Sequence, residues 1–378
     1  MKIYIYSLAA AVLLSLVTLA MTSCGGRQTA ATGTPQGNIV TDASLLRIIP
    51  DGKGELVEIV NPWDTTRLLG RYYLYADSAT SIPAGATGVR VPLGRSAVFG
   101  TVHLGAIGEL GALDRVAAVA DAQYIGLGEV KSALAEGRMV DLGPSMSPSL
   151  EKIVALRPDA LLVSPFENTG HGVLDNAGLT LIEMADYMEP TPLGRAEWIR
   201  LIGRLYGRAA EADSVFSAVK DTYTALAAES AKLSPKPCVI TEQFTDGYWF
   251  VPGGKSYMAR LLADAGADYP WADDGSAGSL QLDFSAVLAK GGDADYWLIR
   301  TYGEDLTLDG LKERYPLNAR FKAFSTGGVY NCNTAESPLF EEFPFHPERL
   351  LADYAAIFAG RGDSGLRYFH RVKCPHDP

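Results

Sequence analysis

Residues 141–167, DLGPSMSPSLEKIVALRPDALLVSPFE, read as one step of a wound α/β domain. A short strand ends at Asp141 and Leu142, and Gly143-Pro144 breaks it. Ser147 is the expected helix cap, with Pro148 at the first helical position, where a fixed φ helps and no donor is needed. Leu150, Ile153, Val154 and Leu156 repeat at helical spacing and form the expected buried face. Arg157-Pro158-Asp159 stops the helix. Residues 160–163 are an unbroken apolar run, as in a parallel strand covered on both faces. The strand then opens into Ser164, Pro165 and Phe166, and ligands sit at that end of open α/β sheets.

The chain has 378 residues and a formal charge of −11. That length suits two lobes with appendages. The charge and the absence of any Lys/Arg run argue against nucleic acid. Lys2 precedes an apolar run over residues 3–21, and Met21-Thr22-Ser23 leads into Cys24. This is the pattern of a secretory signal over residues 1–23 ending in a bacterial lipobox, with Cys24 as the lipidated residue. Several acyl chains there would anchor the protein stably to a membrane. No other segment is long and apolar enough to span a bilayer.

Residues 24–44 carry few large apolar side chains and are expected to form a flexible tether. Cys238, Cys332 and Cys374 allow at most one disulfide, and a Cys332–Cys374 pairing is left open. No Cys/His cluster has zinc spacing, and neither a metal nor a cofactor is expected.

Residues 45–90 contain strand-like runs at 45–49, 56–60 and 72–75, a small β appendage. From residue 91 strands and helices alternate through 208, forming a first lobe that ends in an expected amphipathic helix over 195–206. Residues 209–231 contain no Gly or Pro. Ala212, Val215, Phe216, Val219, Tyr223, Leu226 and Ala227 fall on one helical face. Such a helix spans roughly 35 Å. It is either a surface helix or a linker (209–232) to a second α/β series over 233–378. That series has expected strands at 238–241, 248–251, 296–300 and 329–331.

The stretch IVALRPDALLV behind Glu151 is similar to the substrate-binding lipoproteins of ABC importers for iron chelates, haem and cobalamin. The similarity recurs in ADYMEPTPLGRAEWIRLIG, VPGGKSYMARLLADAGADYPWADD and VYNCNTAESPLFEEFPFHPERLL. It implies two three-layer α/β lobes joined by one long rigid helix, a monomer with no catalytic activity, and a lipid-anchored place in the cell envelope facing the periplasm. It also implies capture of a ferric siderophore or haem and delivery to a permease and ATPase complex. Cobalamin is the alternative ligand. The rival of another class, a lipid-anchored hydrolase, lacks both a G-x-S-x-G elbow and an H-E-x-x-H pair.

Two lobes on one helix leave a cleft between their strand ends. The candidate ligand residues are Thr101, His103, Tyr124, Phe166, Glu167, Tyr187 and Arg195 from the first lobe. Trp249, Lys255, Arg300 and Tyr302 come from the second. Rings among them would stack on a large flat ligand, and cations would neutralise its acids. Trp249 could equally be core, and Arg300 could pair with Glu304 or Asp305. His103 and Arg195 could be structural. Gly253-Gly254-Lys255-Ser256 lacks the upstream glycine of a phosphate loop. The resemblance further implies one exposed docking acid on each lobe. Glu151 matches the first; the second falls on Ser285, with Asp283 two residues earlier.

Overall fold

The computed structural model describes residues 37–78 and 80–373. The expected signal segment, Cys24, residues 25–36 of the tether, and Cys374 lie outside the described residues. The remaining Cys238 and Cys332 are free thiols.

Strands β1 (Leu46–Asp51), β2 (Gly54–Val60) and β3 (Leu68–Tyr75) run antiparallel, and β4 (Thr87–Arg90) lies parallel to β3. β4 is a strand the sequence did not announce, with only Val89 buried in it. One face of this sheet carries Leu46, Ile48, Val57, Ile59, Tyr72, Leu74 and Val89 into the same core as Trp198, Ile202 and Tyr206 of the first lobe. The appendage is therefore a layer of that lobe.

The segment before β1, expected to be flexible, is held from Asn38 onward: the Asn38 side chain accepts from Ile48 N at 2.9 Å, and Ile39 N donates to Ile48 O at 3.0 Å. Buried Glu197 accepts the backbone N–H groups of Thr41, Asp42 and Ala43 at 2.6–3.0 Å. Buried Glu189 accepts those of Ser44 and Leu45 at 2.8 and 2.9 Å. Donors with no strand partner are thus satisfied by carboxylates, which is what a buried backbone requires.

The first lobe is a parallel sheet of β5 (Ser96–Val98), β6 (Val116–Val119), β7 (Val140–Asp141), β8 (Ala160–Val163) and β9 (Leu181–Glu183), ordered β7-β6-β5-β8-β9. All four residues of β8 are buried, as its apolar run requires. Ser149, not Ser147, caps the helix Leu150–Leu156, its hydroxyl accepting from Lys152 N at 3.3 Å. Ser147 is spent on a turn, donating its N–H to Pro144 O at 3.0 Å. Of the expected apolar face only Ile153 is fully buried, and Val154 is exposed. The helix expected over 195–206 is two helices, Pro192–Ala196 and Ile199–Tyr206.

The linker helix Ala209–Ser230 has 22 residues. Ala212, Phe216 and Val219 pack into the first lobe's core, while Tyr223 packs into the second's. One amphipathic face thus serves two cores in succession.

The second lobe holds β10 (Val239–Thr241), β14 (Tyr296–Thr301) and β15 (Val329–Asn333) in parallel, with β16 (His370–Arg371) antiparallel at the edge. β11 (Phe244–Thr245), β12 (Tyr248–Pro252) and β13 (Ser279–Leu282) form a separate antiparallel sheet. Among the described residues no helix is long and apolar enough to cross a membrane.

Late in the chain, residues 338–346 return to the first lobe and clasp it. The short helix Leu339–Glu342 lies so close to the helix Thr101–Glu109 that a Cβ on Gly105 would sit 2.0 Å from Glu341 O. Glu341 Oε1 accepts from Gly126 N at 2.9 Å, Phe345 enters the first lobe's core, and His346 Nε2 lies 2.7 Å from Glu109 Oε2. Burial opposes the charge on His346, but hydrogen bonds to Glu109 and Glu348 outweigh it and hold its pKa up at about 9.

Candidate functional site

The first wall forms where the strand order reverses. β5 and β8 are neighbours, and their connections leave to opposite sides. Their carboxyl ends release Phe99-Gly100-Thr101 and Ser164-Pro165-Phe166 around a pocket of 320 Å³, which Tyr124 and Tyr187 also line.

A buried polar chain forms its floor. His103 Nε2 lies 2.8 Å from Asp186 Oδ1. Arg195 Nε donates to Asp186 Oδ2 at 3.1 Å, and its Nη1 donates to the Tyr257 hydroxyl at 2.8 Å. Tyr257 opens a helix of the second lobe, so the chain crosses between lobes. Burial works against the Asp186 carboxylate, yet His103 and then Arg195 outweigh it and hold its pKa below the usual range. Arg195 sits in the short helix Pro192–Ala196 because Asp186 compensates its charge. His103 is 1% exposed, and its Nδ1 has no protein partner. Gly100 leaves that nitrogen room, since a Cβ there would lie 2.6 Å from it.

The second wall bounds a cavity of 690 Å³ that shares Val102, Tyr187 and Arg195 with the first pocket. Arg300 is there, and Glu242 is its partner, accepting from Nε at 2.8 Å and also from Nη2. The expected partners are not used: Glu304 instead pairs with Arg314 at 2.7 Å. The Arg300 guanidinium also lies 6.0 Å from the Phe340 ring centre. Glu242 supplies its carboxylate from a left-handed backbone (φ 63°), a conformation non-glycine residues seldom adopt.

Trp249 is not in the cleft. It is fully buried, stacked 5.5 Å from Trp297 and packed on Phe284 and Phe321, with its Nε1 donating to Thr241 O at 2.9 Å. Strand alternation in β12 therefore puts Tyr248 and Phe250 outward, and Phe250 lines the 690 Å³ cavity.

Tyr124 of the first lobe and Tyr302 of the second meet edge to face, ring centres 6.4 Å apart. Phe166 is exposed and lines the first pocket. The Tyr187 hydroxyl donates to Pro165 O, which holds its ring in place. Glu167 and Lys255 are exposed and line neither cavity. Gly254 is instead enclosed by the carbonyls of Trp271, Ala272 and Asp274, and Ser256 caps the helix Tyr257–Asp264, accepting from Ala259 N at 3.2 Å.

The structure thus brings Thr101, His103, Tyr124, Phe166, Tyr187, Arg195 and Arg300 to one cleft, with Tyr302 against Tyr124. Asp186, Glu242, Phe250, Tyr257 and Phe340 belong to it as well. Only Phe250 carried a usable sequence trace, the alternation with Trp249. Both cleft arginines are matched by a carboxylate. No group of three or more His, Cys, Asp or Glu among the described residues is arranged to hold a metal.

Away from the cleft, Glu151 is exposed in the first turn of its helix. Asp283 caps the helix Phe284–Gly291, accepting from Ser285 Oγ at 2.6 Å and Ala286 N at 2.7 Å. Those two bonds, the Ser285 bond first, hold its pKa below the usual range.

Residues 99–335 match the family model described as periplasmic binding protein. Two uncharacterized lipoproteins of Methanocaldococcus jannaschii are similar. One is 28% identical over 53% of this chain and 49% of its own length; the other is 27% identical over 65% and 64%. The chain thus spans about half to two thirds of these curated relatives. Among solved structures, a periplasmic heme binding protein from Pseudomonas aeruginosa aligns with TM-score 0.57 and 17% identity, covering 75% of this chain and 100% of that one. An Fe3+-hydroxamate transport protein of Saccharomonospora viridis gives 0.54 and 20%, covering 71% and 93%. The periplasmic vitamin B12 binding protein of Vibrio cholerae gives 0.55 and 14%, covering 71% and 97%. At these identities the likeness establishes the fold.

Proposed function

The chain belongs to the periplasmic binding protein family, a family of binding proteins rather than enzymes, and on that premise we propose that it captures an iron chelate between its lobes and hands it to an ABC permease. The ligand is a ferric siderophore or haem. The observation that carries this reading is the cleft itself, two adjoining cavities of 320 and 690 Å³ sharing Arg195 and Tyr187. Volumes of this order suit a large organic ligand. Tyr124, Phe166, Tyr187, Phe250 and Tyr302 supply flat apolar contact.

The charge balance narrows the class. Arg195 is neutralised by Asp186 and Arg300 by Glu242, so a strongly anionic chelate finds no spare cation on either arginine. A chelate of low net charge fits better. The same balance keeps cobalamin as the second reading.

Cys24 serves as the lipid anchor and holds the protein at the cell envelope, facing the periplasm. Glu151 meets the permease, with the acid of the second lobe coming from Asp283 in place of Ser285. The protein works as a monomer.

The test is calorimetric titration of a soluble form beginning after residue 36 with haemin, a ferric trihydroxamate, a ferric tricatecholate and cyanocobalamin. One-to-one binding of haemin or the trihydroxamate, weakened by Phe250→Ala, is expected. Binding of cyanocobalamin alone would move the assignment to the second reading. No binding to any of the four would remove both.

A further inference from the structure

Beside the cleft, the first lobe carries another cavity, of 490 Å³. It lies over the carboxyl ends of β5 and β8, between residues 145–148 and 169–174. Phe99, Ser164 and Phe166 line both it and the 320 Å³ pocket, so the two adjoin. Its lining is dominated by Met146, Pro148, Val163, Val173 and Leu174 together with those two phenylalanines. The one ionisable side chain in it, His171, has its Nε2 3.0 Å from Glu183 Oε1. Met146 and Val173 are 77% and 55% exposed, and Phe166 is 50% exposed. Contiguous exposed apolar side chains around a concave surface mark a place meant to be covered.

We propose that this cavity is a subsite for an extended apolar substituent of the transported ligand, so that the ligand class is an amphiphilic chelate with its polar, metal-bearing part in the cleft and a hydrocarbon or aryl arm along Met146, Phe166 and Val173. The inference rests on the cleft reading above. The occupant is a part of the same ligand because the cavity adjoins the cleft pocket and the exposed Phe166 ring borders both. A separate charged ligand would find neither a free cation nor a free carboxylate in the lining. The subsite lies wholly on the first lobe, so an arm there does not hinder contact between the lobes.

The test compares N-acetyl and N-octanoyl ferrioxamine B, which share one net charge and one iron coordination sphere, below the aggregation limit of the longer compound. Each methylene buried multiplies affinity about fourfold, so an arm half seated should bind on the order of a hundredfold tighter. Val173→Asp, on an exposed position with the unfolding midpoint checked, should erase that preference and leave the N-acetyl compound unchanged. Equal binding of both compounds to the native protein overturns the subsite and leaves the chelate reading standing. If neither chelate binds, N-phenyl-1-naphthylamine decides the cavity. Saturable one-to-one binding lost in Val173→Asp supports the subsite, and binding that is absent or insensitive to the substitution overturns it.

Discussion

The two walls of the cleft are built from the same kinds of residue and divide them differently between strand core and surface. The first lobe leaves its rings at the surface: Tyr124 and Phe166 are exposed, and Tyr187 stands over the pocket. The second lobe spends most of its rings inward, where Trp249, Trp297, Phe284, Phe321, Phe244 and Tyr315 form one aromatic cluster. Its wall carries Phe250, Tyr257, Phe340, Phe343 and the Glu242–Arg300 pair, with Tyr302 exposed beside Tyr124. The strands β5 and β8 contribute only aliphatic side chains, Ala97, Leu161 and Val163 on one face and Val98 and Leu162 on the other, and the rings buried against them, Trp198, Tyr206 and Phe216, come from helical segments. An aromatic residue near a strand end is therefore evidence of a ligand only once the core behind it is known to be full.

The sharpest break of this comparison lies within β12. Trp249→Ala should cost about 3 to 5 kcal/mol of stability, measured by urea unfolding, because it empties the aromatic cluster. Phe250→Ala should leave the midpoint nearly unchanged and weaken ligand binding. If Trp249→Ala were tolerated while abolishing binding, the two walls would be alike after all.

Next in size is the chain that joins the walls. Asp186→Asn leaves Arg195 buried without a counter-charge and should cost about 3 kcal/mol. The effect should be partly relieved in the double variant Asp186→Asn with Arg195→Met, a coupling that a double-mutant cycle reads directly.

A smaller effect tests the clasp. The pKa of His346 is raised from 6.5 to about 9 when folded, so its contribution is complete below pH 6.5 and is lost as pH rises through about 9. Glu109 and Glu348 face it, and Arg349 lies 3.7 Å from Glu348. Unfolding midpoints should fall over that window in the native protein and stay flatter in His346→Gln. The smallest effect on stability belongs to Glu151→Ala, within about 0.5 kcal/mol. Ligand binding should persist while uptake by the reconstituted importer is lost, and undiminished uptake would remove Glu151 from docking.

How much of this was legible in the chain depended on how local each cause is. The linker helix was legible because 22 residues without a breaker carry one repeating face, and period and composition both lie within the segment. β8 was legible because burial on both faces leaves no room for polar residues. The cap at Ser149 was not, since Ser147-Pro148 offers the same local chemistry and only the turn to Pro144 decides between them. Trp249 was offered both as a ligand residue and as core, and the choice is settled by Phe284 and Phe321, far along the chain. Arg300 finds Glu242, 58 residues upstream, through strand pairing that no local pattern announces. Glu189 and Glu197 look like surface acids in sequence and are instead buried acceptors for the segment before β1.

The contact between Gly105 and the Glu341 carbonyl bears on the timing of capture. A glycine that admits no methyl group, with Glu341 bonded to Gly126 and His346 to Glu109, sets the two walls at their spacing before any ligand arrives. A site already assembled has little to rearrange, and encounter then runs at rates governed by diffusion and orientation. Ligands will be told apart by how long they stay rather than by how fast they come. On the proposed function, release to a permease then calls for a force applied to the lobes from outside.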